Sequence, residues 1–506
     1  VTTPALANHG KMRLAELDVA GTDSEPGSFT NSGQIDADTA RIMTPDIHNS
    51  GTLASADLTL ETERLHNSGT LAGEHSYAVN AKESIKNSGN ILSGETLTLN
   101  SPYLESTGGR ISAVDLILNL PDYLRNGGKI IARHLTLNTP NLHNSGHIYG
   151  EADYQVKVDT LVNSGILSSP GKLTVAALHD RLAIANDGQI LAGQTELTAD
   201  SLHGSGTVSG ADTATVSVGS VSGSQSITAG RHLQLDVAGD LSTDSGTIGA
   251  GGVADIRAAN IHNGGKLLAG QELNLTTNTL NNTGLINTSG TTRIRVNHLA
   301  NHGRLYGDWV DLITPYLKNH DGAVIAARQH LEVDGGTIDN RLGSANGAAP
   351  LIKSDGSMRL KGQSLDNGGG TVQSAGDMEL RGLHVKNDNP YFQTYTKVEE
   401  QKGQKFMRSL DPDAPNSDLH ERSKFKEGQR KYIAHDPGAV GGIKEINRTQ
   451  EITADVRTET TEVAHSTPGR ILAGVGNPHL GECHLHHQRQ RTSHRWRCHY
   501  LPQWQR

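Results

Sequence analysis

The feature that most constrains this chain is a repeat, mostly 18 to 20 residues long, that begins at an asparagine and runs from residue 8 to residue 386. Each unit reads N-x-G-x-(I/L)-x-(A/S)-G, then an L-x-L pair, then one more apolar residue just before the next asparagine. In the unit from Asn49 these apolar positions are Leu53, Leu58, Leu60 and Leu65. A spacing of two places both leucines of the pair on one face of a strand, and helical spacing is not sustained in the unit.

A single unit cannot bury its own leucines, because a strand or two with one apolar face have nothing to pack against. Stacking the units solves this problem: Leu53 would lie directly against Leu71 of the next unit, and every strand would bond to the units above and below. We therefore predict an all-β fold, a right-handed parallel β-helix (solenoid) of about 19 coils with an irregular carboxy-terminal region. At ~4.8 Å per coil its length is roughly 90 Å.

Asparagine and glycine recur at fixed positions of the unit, and we interpret them as structural turn residues. Asparagines of successive coils would stack in a ladder whose side-chain amides bond one another. Both residue types also accept the left-handed backbone conformations that turns need and that β-branched residues adopt only at a cost. The predicted structural turn residues are Asn31, Gly33, Asn49, Gly51, Asn67, Gly69, Asn87, Gly89, Asn126, Gly128, Asn144, Gly146, Asn263 and Gly265.

The composition excludes several classes of protein. Only 34% of the 506 residues are apolar and 4% aromatic, too little for the thick core of a conventional enzyme of this length. No apolar run approaches the 18 residues of a membrane span, so the chain is not expected to be transmembrane. Lys and Arg are scattered and the net charge is −9, which argues against nucleic-acid binding. No catalytic motif is present, and we predict neither enzymatic activity nor a cofactor.

The (L/I)-H-N-S-G-x-(I/L)-x-(A/S)-G units with their L-x-L strands resemble the repeats of filamentous haemagglutinin and related two-partner-secreted exoproteins, including contact-dependent growth-inhibition proteins. The resemblance implies a secreted or surface-held fibre, associated with the outer membrane of a Gram-negative bacterium and exported by an outer-membrane partner transporter. Because the chain begins with Val1, we interpret it as an internal fragment of such a protein.

Three functions are compatible with this resemblance. The leading expectation is the shaft of an adhesin or haemagglutinin that attaches to a glycan or protein receptor on a host or neighbouring cell. The alternative is the stalk of a contact-dependent growth-inhibition toxin, whose toxic tip would lie beyond residue 506. A β-helix polysaccharide lyase is a second alternative.

The repeat is interrupted towards the carboxy terminus. Residues 387–465 are a charged non-repeat insertion; alternating residues near Tyr391–Val398 and Ile452–Val463 predict strands of a β-hairpin, with a disordered loop as the other interpretation. Such a departure from a rigid scaffold is also where we expect a receptor-contacting element. Residues 466–475 resume the repeat after residues 1–386.

The last segment, 476–506, differs in composition from everything before it. Cys483, His486, His487, Cys498 and His499 are candidate zinc ligands, but their spacing contains no C-x-x-C pair. Shifting the reading frame by one base allows a string with the missing L-x-L pair and turn asparagine. We therefore predict a disordered, out-of-frame tail produced by a frameshift or a sequencing error.

Two further sets of polar residues are candidates for a metal-binding, pH-responsive or catalytic site. One set of histidines precedes the turn asparagine or its equivalent and suggests a metal-binding or pH-responsive stripe; a tolerated polar turn residue is the simpler interpretation. A set of aspartates suggests the calcium and general-base site of a lyase, although no fixed group of carboxylates with a basic residue interrupts the repeat. The two sets are His48, His66, His143, His203 and His262, and Asp115, Asp153, Asp308 and Asp311.

Overall fold

The computed structural model describes residues 1–21, 26–409, 420–421, 431–435, 443–447, 449–474, 479–481 and 484–486, with the backbone alone for those between 404 and 454 and for the last two ranges. Every regular element in these residues is a β-strand. The chain divides into two units: Val1–Pro390 with Pro468–Arg506, and Tyr391–Thr467. No helix in the described ranges is long and apolar enough to cross a lipid bilayer.

The strands of the first unit, up to its interruption, are β1 (Thr2–Thr3), β2 (Ala5–Asn8), β3 (Lys11–Ala20), β4 (Ser28–Asn31), β5 (Gln34–Met43), β6 (Asp46–Asn49), β7 (Thr52–Asn67), β8 (Thr70–Gly73), β9 (Tyr77–Asn87), β10 (Asn90–Ser93), β11 (Thr96–Asn100), β12 (Tyr103–Ser106), β13 (Arg110–Asn119), β14 (Tyr123–Asn126), β15 (Lys129–Asn138), β16 (Asn141–Asn144), β17 (His147–Gly150), β18 (Tyr154–Val158), β19 (Thr160–Asn163), β20 (Ile166–Ala177), β21 (Ala183–Asn186), β22 (Gln189–Gly204), β23 (Thr207–Gly223), β24 (Ser226–Ala229), β25 (His232–Thr243), β26 (Thr247–Ala250), β27 (Val253–Asn263), β28 (Lys266–Ala269), β29 (Glu272–Asn282), β30 (Leu285–Thr288), β31 (Thr291–Asn301), β32 (Arg304–Asn319), β33 (Val324–Asp339), β34 (Leu351–Ser354), β35 (Ser357–Lys361), β36 (Ser364–Asp366), β37 (Thr371–Ser374), β38 (Met378–Arg381) and β39 (His384–Lys386). The remaining strands are β40 (Gln393–Ser409), β41 (His420–Glu421), β42 (Lys431–His435), β43 (Ile443–Asn447), β44 (Thr449–His465), β45 (Arg470–Ala473), β46 (His479–Gly481) and β47 (His484–His486).

The first unit is a parallel β-solenoid of about 20 turns, which confirms the predicted fold class. In the coil that follows Asn87, three short strands, β10, β11 and β12, form the three sides. Each side pairs in parallel with the coil before it and the coil after it, so that β10 lies between β8 and β13. In other coils the three sides run together as one long, bent strand, such as β7.

The core consists of aliphatic columns that run from coil to coil through the interior. Leu53 is in register with Leu71, and Leu71 with Ile91, as the repeat spacing predicts. Leu97 and Leu99 of the L-x-L pair both point inward and are fully buried. Burying one such side chain contributes about 1.5–3 kcal/mol, so each coil becomes stable only when a neighbour covers it.

Small hydroxyl side chains close one corner of several coils. The Ser101 hydroxyl donates to the carbonyl of Tyr103 at 3.0 Å, and that of Thr314 donates to the carbonyl of Tyr316 at 3.0 Å. Both side chains are buried, at 3% and 1% exposure. Their hydroxyls therefore supply the hydrogen bonds that water would otherwise donate to the backbone carbonyls at the bend.

The second unit contains a long antiparallel ribbon. Strand β40 pairs with β44 from Gln393 opposite His465 to Ser409 opposite Thr449. Strands β42 and β43 form a separate antiparallel pair. The described side chains of the ribbon are almost all exposed, among them Tyr395 at 48%.

The solenoid continues after this insertion. Strand β45 pairs in parallel with β37, with Ile471 in register with Val372, and the Asn367 amide donates to the carbonyl of Arg470 at 3.0 Å. The backbones of β46 and β47 pair in the same way with β38 and β39. Of the zinc candidates, Cys483, His487, Cys498 and His499 lie outside the described residues, as does the side chain of His486. The zinc and out-of-frame hypotheses therefore stay predictions.

Candidate functional site

The turn asparagines form buried amide ladders along the solenoid. The Asn31 amide nitrogen donates to the side-chain oxygen of Asn49 at 2.8 Å, and Asn49 donates in the same way to Asn67 at 2.8 Å. The same nitrogen of Asn31 donates to the carbonyl of Thr52 at 3.0 Å. Asn49 is only 1% exposed. Within its own turn, the Asn31 side-chain oxygen accepts from the Gly33 backbone amide at 3.2 Å. Asn31 therefore fixes its own turn and the next coil at once, in a buried position where an unpaired amide would be costly.

The ladder consists of three runs separated by two gaps. Within the runs, neighbouring amides bond at 2.6–2.8 Å: the first runs from Asn8 to Asn87, the second from Asn126 to Asn186, and the third from Asn263 to Asn387. Ser106 fills the first gap, and its buried hydroxyl has no hydrogen-bond partner among the residues that the structure describes. The positions of Gly204, Gly223 and Thr243 form the second gap. The predicted turn asparagines thus lie in one column, but the column is not continuous.

The turn glycines owe their place to close packing between coils. A Cβ on Gly51 would lie 2.0 Å from the carbonyl oxygen of Gly33, and one on Gly69 would lie 2.0 Å from that of Gly51. At Gly89, Gly128, Gly146 and Gly265 the corresponding distances are 2.0, 2.3, 2.1 and 2.2 Å. None of these glycines has a left-handed φ. The left-handed role assigned from the sequence is therefore wrong for them.

Two glycines with a left-handed φ occupy positions of the column where the turn asparagine is missing. Gly204 and Gly223 have φ angles of 120° and 88°. Two residues after Gly223, Gln225 occupies the position of a turn glycine and is 1% exposed. Its amide nitrogen donates to the Asn186 carbonyl at 2.5 Å, and its oxygen accepts from the Asn186 side chain at 3.4 Å. Gln225 thus bridges a gap in the ladder across 39 residues of sequence.

The five candidate histidines share a column but do not form a continuous stripe. His48 and His66 are in register, with ring centroids 4.9 Å apart and planes 3° from parallel. Burial, and to a lesser extent the neighbouring His48, lowers the pKa of His66. In the same column, His143 lies between Arg125 and Val162. Its ring packs edge-on against Tyr123, with the ring centroids 5.1 Å apart.

The other two histidines of this set are isolated from one another. His203 has Ala185 and Ser222 as register neighbours, and His262 has Ser242 and Asn281. Among the described residues, no group of three or more His, Cys, Asp or Glu side chains is arranged to hold a metal ion. The structure thus brings only His48 and His66 together.

The four candidate aspartates are likewise dispersed. Asp115 contacts the His134 ring at 2.7 Å, and Asp153 accepts from the Lys172 backbone amide at 2.7 Å. Asp308 pairs with Arg328. Burial, and then the Glu332 carboxylate, raises the pKa of Asp311. These contacts link neighbouring coils in pairs, and they do not assemble the four carboxylates into one site.

A set of exposed apolar side chains on β32 is absent from the predicted sites. Trp309, Ile313 and Tyr316 are exposed by 49%, 42% and 55%, respectively. A usable signal was present in the sequence, because aromatic residues make up only 4% of the chain and Trp309 occupies an outward position beside the inward Val310.

Comparison with known proteins places this architecture in a family. The model of the haemagglutinin repeat matches residues 28–148, 122–190, 190–245, 220–305 and 317–389, well over half of the chain. The chain belongs to the haemagglutinin-repeat family. Membership confirms the resemblance seen in the repeats and implies a secreted or cell-surface exoprotein of the two-partner secretion type.

Two curated relatives resemble about half of the chain. Toxin CdiA of Escherichia coli is 30% identical over 260 residues, and tRNA nuclease CdiA of Escherichia coli strain NC101 is 31% identical over 271 residues. Each alignment covers 49% of this chain and 8% of the relative. No solved structure matches the chain.

Proposed function

We propose that this chain is a shaft segment of a surface-displayed exoprotein that attaches to cells, as an adhesin does. The supporting observation is the filled interior: aliphatic side chains with no exposure occupy the inner positions coil after coil over about 20 turns. Such an interior leaves the outer surface and the inserted unit for recognition. A stack of coils held by backbone ladders and buried amides is suited to keep recognition elements at a fixed distance from their attachment point.

The insertion Tyr391–Thr467 is the proposed receptor-contacting element. Its ribbon exposes Tyr395, Val398 and Val463 by 48%, 44% and 56%. Thr394 lies opposite Val463 and Thr396 opposite Thr461, so one face of the described ribbon is rich in β-branched residues. A two-stranded ribbon with both faces in water is marginally stable, and a partner that covers one face would stabilise it.

A cell-binding assay tests this proposal. Fluorescently labelled full chain is incubated with epithelial cells and with Gram-negative bacterial cells, and bound protein is measured by flow cytometry. The matched variant replaces residues 391–467 with a short Gly-Ser turn. We expect saturable binding of the full chain and its loss in the variant, with circular dichroism showing an intact solenoid. Attachment would be refuted if the full chain bound none of the cells, and the role of the ribbon if the variant bound equally well.

A second candidate function is the stalk of a contact-dependent growth-inhibition toxin. The names of both curated relatives, a toxin and a tRNA nuclease, favour it. The match covers 8% of each relative, so it bears on the stalk and not on the toxic activity. The genomic sequence downstream of residue 506 discriminates the two candidates: a short toxin domain followed by a small immunity gene supports the stalk, whereas further uninterrupted repeats support the adhesin.

A polysaccharide lyase has less support. The four acidic candidates are not assembled into one site, as described above, and the family is structural. Release of unsaturated sugar from a polysaccharide by the purified chain would be the direct sign of such an activity.

A further inference from the structure

An exposed indole on the outer face of β32 is held in a fixed orientation. The Trp309 ring nitrogen donates to the side-chain oxygen of Gln329 at 3.0 Å. His330 is the register neighbour of Trp309 on the next coil. The centroids of the two rings are 5.2 Å apart, and their planes are inclined by 46°. Trp309 nevertheless remains 49% exposed. A large, rigid aromatic surface of this kind binds a ligand with little loss of side-chain entropy.

Polar groups with unused bonding capacity lie beside this indole. Asp311 follows two residues later on the same face, and its carboxylate forms no hydrogen bond or ion pair with any residue in the described part of the chain. Its register neighbours are engaged elsewhere, since Arg293 pairs with Glu272 and Glu332 pairs with Arg359. Asp311 is half-buried, and a carboxylate in that position gains from a hydrogen-bond donor.

The face continues with an apolar and a cationic side chain. Ile313 lies two residues beyond Asp311 and is 42% exposed. Arg295 is in register with Ile313 on the preceding coil, and its guanidinium has no ion-pair partner among the described side chains. Along this face an aromatic ring is therefore followed by a hydrogen-bond acceptor and an aliphatic side chain, and a guanidinium with five donors lies beside the aliphatic one.

This pattern fits a sugar better than a protein. A pyranose ring has an apolar C–H face, which packs on an indole, and a rim of hydroxyls, which bond a carboxylate and a guanidinium. Stable protein interfaces bury about 800 Å² per partner around a packed apolar centre. Here Trp309 and Ile313 are separated by a carboxylate. The Asp311 carboxylate lies between Trp309 and Ile313 on this face and would repel a sulfate or a sialic acid bound there.

We propose that the face formed by Trp309, Asp311, Ile313 and Arg295 binds neutral pyranose oligosaccharides. The indole stacks on the C–H face of one sugar, Asp311 accepts a hydrogen bond from a hydroxyl, and Arg295 donates to a second hydroxyl. The inference rests on the proposed attachment function and adds the chemical class of the ligand.

Binding of defined oligosaccharides to the full chain tests the inference. The probes are cellohexaose and chitohexaose as neutral sugars and heparin as an acidic one, with affinity measured by isothermal titration and contact by saturation-transfer NMR. We expect Trp309→Ala to weaken neutral-sugar binding about tenfold or more and Asp311→Asn to weaken it several-fold. The matched control is Tyr103→Ala, which removes a partly exposed aromatic from a distant coil of the solenoid and should leave the affinity unchanged.

The outcomes separate this inference from the proposed function. Neutral-sugar binding that depends on Trp309 and Asp311 supports it. Binding of heparin alone, or neutral-sugar binding equally strong in all three variants, overturns it. Cell attachment lost in Trp309→Ala without any oligosaccharide binding also overturns it and points to a protein receptor, while the attachment function stands. Because all three positions face outward, circular dichroism of each variant should match that of the parent chain.

Discussion

Two adjacent glycines with opposite surroundings provide a direct test of the close packing between coils. A Cβ on Gly109 would lie 1.7 Å from the carbonyl oxygen of Gly89 and 2.8 Å from its nitrogen. A Cβ on Gly108 would meet nothing within 4 Å. Neither residue has a left-handed φ, so a difference between the two alanine variants reports packing and not backbone strain.

The size of the effect at Gly109 follows from the geometry. Relieving the contact to about 3.2 Å moves the two coils apart by about 1.5 Å, beyond hydrogen-bonding range. Two backbone hydrogen bonds would then be lost: the Arg110 N–H donates to the Gly89 carbonyl at 3.0 Å, and the Thr107 N–H donates to the Asn87 carbonyl at 2.9 Å. At about 1 kcal/mol each, with about 1–3 kcal/mol for overpacking, Gly109→Ala costs about 3–5 kcal/mol locally. Gly108→Ala should be neutral or stabilise by up to about 1 kcal/mol.

Hydrogen–deuterium exchange is the appropriate measurement, because a long stack of coils does not unfold in a single two-state step. In Gly109→Ala we expect protection in the coils from residue 87 to residue 126 to fall by about two powers of ten or more. Peptides around Leu267 in the same sample are the internal reference. Equal protection in the two variants, or greater damage from Gly108→Ala, would show that the glycine column is not set by the approach of the preceding coil.

Three further predictions rest on individual contacts. Gln225→Ala should lower the local stability of the coils on either side by about 1–3 kcal/mol, because the Asn186 carbonyl loses its buried partner. Hydrogen exchange in these coils should therefore be faster, and unchanged exchange would contradict the bridging role. Burial, and next the His302 ring, whose centroid lies 3.6 Å from that of His320, lowers the pKa of His320. At a pH near this pKa the unfolded chain therefore binds more protons than the folded chain. The local opening free energy of the coils around residue 320, obtained from exchange protection corrected for the intrinsic exchange rate, should therefore fall as the pH drops below about 6.5 and level off below the lowered pKa. The fall should be smaller in His320→Gln. Arg64→Met should change the local opening free energy of its coil, measured by hydrogen–deuterium exchange, by less than about 1 kcal/mol, because the ion pairs of Arg64 with Asp46 and Glu83 are exposed; a larger change would show a structural role for them.

The solenoid itself was predictable from the sequence because its cause is local and repeated. Period-two leucines such as Leu97 and Leu99 fix which face of the strand is inward, and the repeat length fixes which residue of the next coil lies against them. The ladder partners of Asn31, Asn49 and Asn67 follow from the same register.

The reasons behind individual residues were less accessible. The need for Gly51 arises from the carbonyl of Gly33, a contact between coils that no property of the unit itself encodes. Gln225 compensates for asparagines missing from other positions of the column, so its role appears only when the coils are stacked. The rarity of aromatic residues and the outward position of Trp309 were visible in the sequence, but the hydrogen bond that fixes its ring was not. Within the candidate sites, residue type alone could not show that Asp115, Asp153 and Asp308 each contact a different neighbour while the Asp311 carboxylate does not pair with any described residue.

The two gaps in the amide ladder have a mechanical consequence. Hydrogen bonds between coils point along the solenoid axis, so a pull along that axis loads the coil interfaces in series, and the weakest one sets the strength of the whole. The interfaces at Ser106 and between Gly204 and Thr243 lack the asparagine-to-asparagine bond that reinforces their neighbours. Under tension the stack should therefore part first at these two seams, leaving three intact blocks.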